Sequence, residues 1–474
     1  MNNSSSVGSK PLTKREKFSY SIGAMGGDLS YGLTNQFFSI YLTDLLKVKP
    51  LFLSVMFLAA RVWDGINDPM MGTIVQNTHT RLGRFRPWIL AGSVANSLVL
   101  ILMFFNPGFT PGSAGVYVYA AVTYILWGMS YTMYDIPFWS FIPAITSEPK
   151  ERNNVSTLTR FFSGFGQALV SLLTVSMLSA LGKENEAAGY VRWAAICAAF
   201  FVTVSVISVA GSRERFTPKE KEKFTFGKAF NVIRSNDQLL AFMCTAILFN
   251  TGWYLTTGLG MYYFTHVVGN KNFYTVFSAL VGVGQMAGLL LFPMMSAKFT
   301  KHRVVKGAMV CSAAGYLGMF MLRECGGSSL TTIPFLNVEI TTGFAAFAVF
   351  ALLGCMGVGA MFVSQTVMLA DVVDYGQYKN GERTDSIIFS MKSFLLKVAY
   401  SLQSLIMFIG LHISKYDADN VTQTAKNAIS MMMLCVPVIL MICAYFVYVR
   451  KYKLHGRLYE EVTAVVAAKR ENEA

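Results

Sequence analysis

Asp64 and Asp68 stand four residues apart in ARVWDGINDPMMG, inside a run that is otherwise largely apolar. On a helix that spacing projects both carboxylates from one face. Two like charges held close in a low dielectric repel, so one retains a proton or a bound cation relieves the strain. Asn67 adds a neutral amide oxygen and Thr132, further along, a hydroxyl. Hard cations favour such all-oxygen sets. The competing reading is a structural ion pair, because Arg61 lies one turn from Asp64.

A second constellation suits a polyhydroxyl ligand. Thr132, Asp135 and Trp139 follow an i, i+3, i+7 pattern in SYTMYDIPFWS and share a helix face. A carboxylate accepts two hydroxyl hydrogen bonds, and an indole offers an apolar face with one donor. A sugar ring presents the complement, polar edges and C–H faces. Trp139 taken alone reads equally as an interfacial anchor. Arg160 can give two parallel hydrogen bonds to hydroxyls or a carboxylate, or snorkel from a helix end. Asp28 in GAMGGDLSYG, with Lys392 and Lys397 near residue 395, completes the set of charges within apolar runs. Each costs roughly 2.5–3.5 kcal/mol in a membrane and marks a cavity or a pathway. The glycines around Asp28 (Gly23, Gly26, Gly27, Gly32) permit close helix approach or open space for a ligand.

These charges need elements that hold them, and composition says which. Of 474 residues 53% are hydrophobic and 14% charged, against roughly 25% charged in soluble domains; mean hydropathy is +0.45. Apolar runs of the length that crosses about 30 Å of hydrocarbon recur throughout. Spans are expected near 18–46, 51–76, 87–105, 116–143, 157–181 and 190–211, then near 238–266, 273–297, 303–322, 342–372, 384–412 and 426–449. The chain thus divides into an amino-terminal six-helix bundle (1–212), a hydrophilic linker (213–237), a second six-helix bundle (238–450) and a tail (451–474). The tail reads as a short amphipathic helix or a solvated end.

The net charge of +14 raises nucleic acid as a partner, but Lys and Arg collect in alternate loops. Positive-inside topology explains them and places both termini in the cytoplasm; no nucleic-acid partner is expected. The polar, basic start carries no apolar core of a signal peptide. The scattered cysteines form no disulfide or metal-ligand framework. No nucleophile–base set or phosphate loop appears, so an enzyme is not expected, and neither is a cofactor beyond a coupling cation.

Five stretches, GGDLSYG, ARVWDGINDPMMGTIVQNTHTRLGRFRPWIL, VTYILWGMSYTMYDIPFWSFIPAIT, TRFFSGFG and LADVVDYGQYKNGERTDSI, resemble the glycoside–pentoside–hexuronide:cation symporter family, nearest its melibiose permease branch. The likeness implies an all-α membrane protein with the major facilitator fold, about twelve transmembrane helices in two six-helix bundles. It implies that Asp64 and Asp68, with Asn67 and Thr132, ligate a coupling cation (Na+, Li+ or H+). It implies sugar contacts from Asp28, Tyr131, Asp135, Trp139, Arg160 and Lys397, and Ser393 stands where the branch has a threonine near the cation. Two loops would gate: Arg84 and Arg86, after a tight turn at Gly83, could pair with Asp371 and Asp374 across the halves. Gly27 replaces a lysine of that branch, and Lys392 has no counterpart. A bacterial inner-membrane, monomeric symporter of a sugar or glycoside is the expected protein; the rival is a related carrier of a lysolipid or organic anion.

Overall fold

The computed structural model describes residues 12–146, 148–183, 185–215, 234–333, 338–380 and 385–473. The chain forms two compact units, residues 1–220 and 221–474. In the first, α1 (Lys14–Leu33) continues through π-helical turns at Thr34–Phe38 and Tyr41–Leu45 and is followed by α2 (Pro50–Gln76), α3 (Arg86–Phe104), α4 (Ala114–Ile145), α5 (Pro149–Gly182) and α6 (Glu186–Gly211). In the second come α7 (Asp237–Tyr262), prolonged by a π-helical turn at Tyr263–Val267, then α8 (Phe273–Lys298) and α9 (Lys301–Met321). A hairpin of β1 (Ser329–Ile333) and β2 (Val338–Thr341) leads to α10 (Thr342–Asn380) and α11 (Asp385–Ile413). The rod α12 (Gln423–Lys451) and a terminal helix α13 (Arg457–Glu473) close the chain.

Among the described residues nine helices are long and apolar enough to cross a membrane. The rods left out, α1, α2 and α4, are 20, 27 and 32 residues long. Length does not exclude them, so polarity does. They carry Asp28, the Asp64/Asp68 pair and Asp135, alongside the glycines, serines and tyrosines of α1 and α4 and the basic start of α1.

The glycine-rich stretch of α1 is a packing surface. A β-carbon on Gly26 would lie 2.5 Å from Val204 of α6, and one on Gly27 2.5 Å from the Tyr134 ring of α4. On the facing helix, a β-carbon at Gly166 of α5 would stand 2.3 Å from the Met25 carbonyl. With no side chain at these points α1 sits directly on α4, α5 and α6. Tyr134 closes the contact by donating from its hydroxyl to the Gly23 carbonyl at 2.8 Å.

Three elements differ from the expected spans. Helix α5 begins at Pro149 instead of near 157, so Arg160 is well inside a helix and not at its end. The polar first turns stay helical because Pro149 occupies an initial position and Glu151 is tied down. The hairpin interrupts the all-helical pattern with alternating β-branched residues, SLTTI against VEIT. Finally, the tail is a docked helix: Val462 and Val466 are buried, Tyr459 accepts from Lys301 at 2.8 Å, and Tyr378 donates to Glu461 at 2.7 Å.

Glu151 anchors the start of the described chain. It accepts from the Lys17 ammonium at 2.8 Å and the Leu12 amide at 2.9 Å. The Lys17 hydrogen bond above all, then the Leu12 amide, holds its carboxyl below the usual glutamate range. A depressed acid stabilises the fold fully above its unfolded value, about 4.3, and loses that contribution as pH falls through the folded value. Protease sensitivity around Leu12 is therefore expected to rise on acidification below pH 4, and Glu151→Gln to show raised sensitivity already at pH 7 with no further acid step there. Limited proteolysis from pH 7 to 3 reads both; an acid step persisting in the variant would contradict the assignment.

Candidate functional site

Helices α2 and α4 pack together and bring the first constellation into contact. Asp64 is buried and accepts from the Arg61 guanidinium at 3.1 Å, one turn away on its own helix. Opposite stands Gly128 of α4, where a β-carbon would lie 3.3 Å from Asp64 Oδ1. A cavity of ≈ 10 Å³ opens there, lined by Ala60, Arg61, Asp64, Tyr124, Trp127 and Gly128. That is about the space of one water-sized particle. Asp68, four residues on, accepts from the Thr132 hydroxyl of α4 at 3.2 Å. Asn67 is buried, and its amide nitrogen has no hydrogen-bond partner. The two ends of an asparagine amide are assigned by their partners, so either the oxygen or the nitrogen can stand at that position. Among the described residues no group of three or more His, Cys, Asp or Glu converges on a point. The cavity itself is bordered by Asp64 and its partner Arg61, while Asp68 and Thr132 bond one another across the two helices.

Thr132 is the hinge of this arrangement. Thr132→Val keeps shape and removes the hydroxyl, a hydrogen bond to a charged group worth roughly 1.5–3 kcal/mol. Cation affinity is expected to fall about tenfold to a hundredfold, with Thr132→Ser close to wild type. Calorimetric titration of the coupling cation distinguishes them; equal affinity in the valine variant would remove Thr132 from the site.

The second constellation lies one turn further along α4. The Trp139 indole donates to Asp135 Oδ1 at 2.9 Å. The Arg160 guanidinium of α5 lies 4.2 Å over the Trp139 ring, a cation–π contact. Arg160 acts electrostatically on both Asp135 and Asp28, and the two carboxylates act on each other. Gln167 of α5 donates to Asp28 Oδ1 at 3.5 Å, and Ser163 lies close enough to act on that carboxylate. Tyr131 stacks with Trp127 (5.5 Å) and meets Tyr31 of α1 (5.2 Å), forming an aromatic wall beside the two acids.

Asp28, Tyr131, Asp135, Trp139 and Arg160 therefore come together on three helices. Sequence reasoning missed Ser163, Gln167 and Tyr31. The first two fall at i+3 and i+7 from Arg160, a periodic signal that was present in the chain. Lys397 is half-buried on α11 in the second unit; Lys392 and Ser393 lie outside the residues whose side chains are described. Arg84 donates to the Val75 carbonyl at 3.0 Å and Arg86 to that of Val209 at 2.8 Å. Asp371 meets Lys301 at 3.5 Å, with Asp374 near enough to act on it. Gly83 has a φ of +99°, the left-handed turn only glycine makes without strain. Glu214, also missed, accepts the amides of Arg84 and Phe85 at 2.8 Å and holds that turn.

The acids, Asp64 buried and Asp28, Asp68 and Asp135 half-buried, sit among rods long and apolar enough to cross a membrane. Solved structures agree on the fold: a bacterial homologue of iron transporter ferroportin in inward-facing state (TM-score 0.64, 12% identity, 94% of this chain and 100% of that one). So does an inward-facing, occupied bacterial homologue of the human lysosomal transporter Spinster (TM-score 0.62, 12% identity, 92% and 95%). Both have the major facilitator architecture. Residues 19–456 match the family described as MFS/sugar transport protein, and the chain belongs to that family.

Among curated relatives are an isoprimeverose transporter of Lactiplantibacillus pentosus, 26% identical over 90% of this chain and 85% of the relative. A putative glycoside/cation symporter of Escherichia coli (strain K12), YagG, is 25% identical over 95% and 94%. A raffinose carrier protein of Pediococcus pentosaceus is 26% identical over 94% of this chain and 70% of its own.

Proposed function

We propose that this transporter couples the movement of a sugar or glycoside to that of a cation, Na+, Li+ or H+, across a bacterial inner membrane by alternating access. The observation that carries the reading is the continuity of α4. Thr132 of that helix bonds Asp68, and Asp135, three residues on, bonds Trp139 and meets the field of Asp28 and Arg160. Three residues are about 4.5 Å of helix. A cation neutralising the Asp64/Asp68 pair thus acts on the same rigid segment that positions the sugar-facing carboxylate.

Each ligand then raises the affinity of the other by an equal factor, as linkage requires. In this reading Asp64, Asp68, Asn67 and Thr132 take the cation, and Asp28, Asp135, Tyr131, Trp139 and Arg160 take sugar hydroxyls, joined by Lys397. Arg84, Arg86, Asp371 and Asp374 are assigned to gating, the chain works as a monomer, and both termini face the cytoplasm. The names of the relatives, an isoprimeverose transporter and a glycoside/cation symporter among them, support a glycoside over a lysolipid.

Uptake into membrane vesicles, with labelled galactosides, glucosides, pentosides and hexuronides, tests this under a sodium gradient, a lithium gradient, a proton gradient and none. At least one sugar should accumulate only with a gradient. Gradient-independent equilibration of every sugar would reject coupling, and no sugar uptake at all would reject the substrate class.

A further inference from the structure

The second unit carries a groove whose lining includes none of the residues assigned above to the cation, the sugar or the gates. Helices α9 and α12 pack side by side, and between them runs an apolar groove of ≈ 250 Å³. Ala313, Ala314 and Leu317 line one side; Val438, Ile442 and Phe446 line the other. The two small alanines leave the space that larger residues would fill. From Val438 to Phe446 is eight residues, about 12 Å of helix, close to the depth of one leaflet in a hydrocarbon core of about 30 Å. Leu317, Ile442 and Phe446 are 46%, 42% and 52% exposed, so the groove opens outward.

One end of this groove is basic. Lys306 lies one turn before Val310 on α9 and is half-buried. Arg450 lies one turn after Phe446 on α12, with its guanidinium 5.9 Å over that ring. His302, at the start of α9, bonds Tyr448, near the end of α12, at 2.9 Å, so the helices run antiparallel here and both cations lie toward the same end of the groove. Neither makes an ion pair with an acid among the described residues.

We infer that this groove binds one anionic glycerophospholipid, an acyl chain lying along α9 and α12 and its phosphate held by Lys306 and Arg450. Basic pockets between transmembrane helices favour anionic headgroups, and each Lys or Arg near the surface contributes roughly fivefold. The wholly apolar wall takes the chain, and the charges at its mouth choose the headgroup.

The test is native mass spectrometry of the delipidated full-length transporter titrated with dioleoyl phosphatidylglycerol or dioleoyl phosphatidylcholine. Wild type should retain one phosphatidylglycerol with a preference of about tenfold or more. Lys306→Gln with Arg450→Gln should abolish that preference, a fall of roughly tenfold to thirtyfold. Ala314→Phe, which fills the groove, should lower retention of both lipids. Equal retention of the two lipids by wild type overturns the proposal, as does an undiminished preference in the double glutamine variant. Should Ala314→Phe fail to fold, the surface double variant and the wild-type competition decide alone.

Discussion

Replacing Asp64 by asparagine is expected to abolish cation-driven sugar accumulation while energy-independent sugar exchange stays measurable. The carboxylate is buried, 9% exposed, and paired with Arg61 at 3.1 Å. It also borders the ≈ 10 Å³ cavity that faces Gly128. Removing one member of a buried charge pair costs roughly 3–5 kcal/mol, because the other charge is left uncompensated. That cost falls on the fold, and the missing carboxylate charge separately deprives a bound cation of its counter-charge. Asp64→Asn leaves the Arg61 guanidinium facing an amide, so folding falls along with binding. Arg61→Gln in the same chain removes that stranded charge and separates the two effects. The double variant should regain expression and thermal stability, yet still show no cation stimulation. The two substitutions share one contact and are not expected to add. Cation-stimulated uptake that survives in the double variant would reject Asp64 as a cation ligand and leave it a structural anion for Arg61.

Asp135→Asn should do the reverse, costing sugar and sparing cation. Its carboxylate already accepts the Trp139 indole at 2.9 Å, which leaves the remaining lone pairs for ligand hydroxyls. Hydrogen bonds to a charged group contribute roughly 1.5–3 kcal/mol each, so losing the charge should weaken sugar binding at least about tenfold to a hundredfold. Cation affinity measured without sugar should fall by much less than sugar affinity, because the Asp68–Thr132 hydrogen bond is left in place. By linkage, the rise in cation affinity caused by a fixed sugar concentration should shrink with the sugar affinity. Trp139→Ala adds a distinct signature: it removes the ring beneath Arg160 as well as the indole donor. A loss of cation affinity as large as the loss of sugar affinity would show that the two groups of acids form one site.

The rods were legible in the sequence because apolar length is a local property, although it put the start of α5 too late. The first turns of that helix are polar, and they are held by Pro149, Lys17 and Leu12 through Glu151. Only Pro149 is local; Lys17 and Leu12 lie more than a hundred residues away in the chain. The β1–β2 hairpin was written in its Thr, Ile and Val residues but sits within a loop too short to stand out against the helices.

The candidate site divides in the same way. Helix geometry alone places Asp64 and Asp68 on one face, sets Arg61 a turn from Asp64, and aligns Thr132, Asp135 and Trp139. A 3.6-residue repeat needs no neighbour to act. Which carboxylate meets which partner is a tertiary fact: Thr132 bonds Asp68, while Gly128 gives Asp64 its small cavity. Likewise Gln167 reaches Asp28 because Gly166 lets α5 lie on the backbone of α1. Contacts between helices follow from where small side chains allow backbones to approach, and one chain read residue by residue does not say which helix will fill the space.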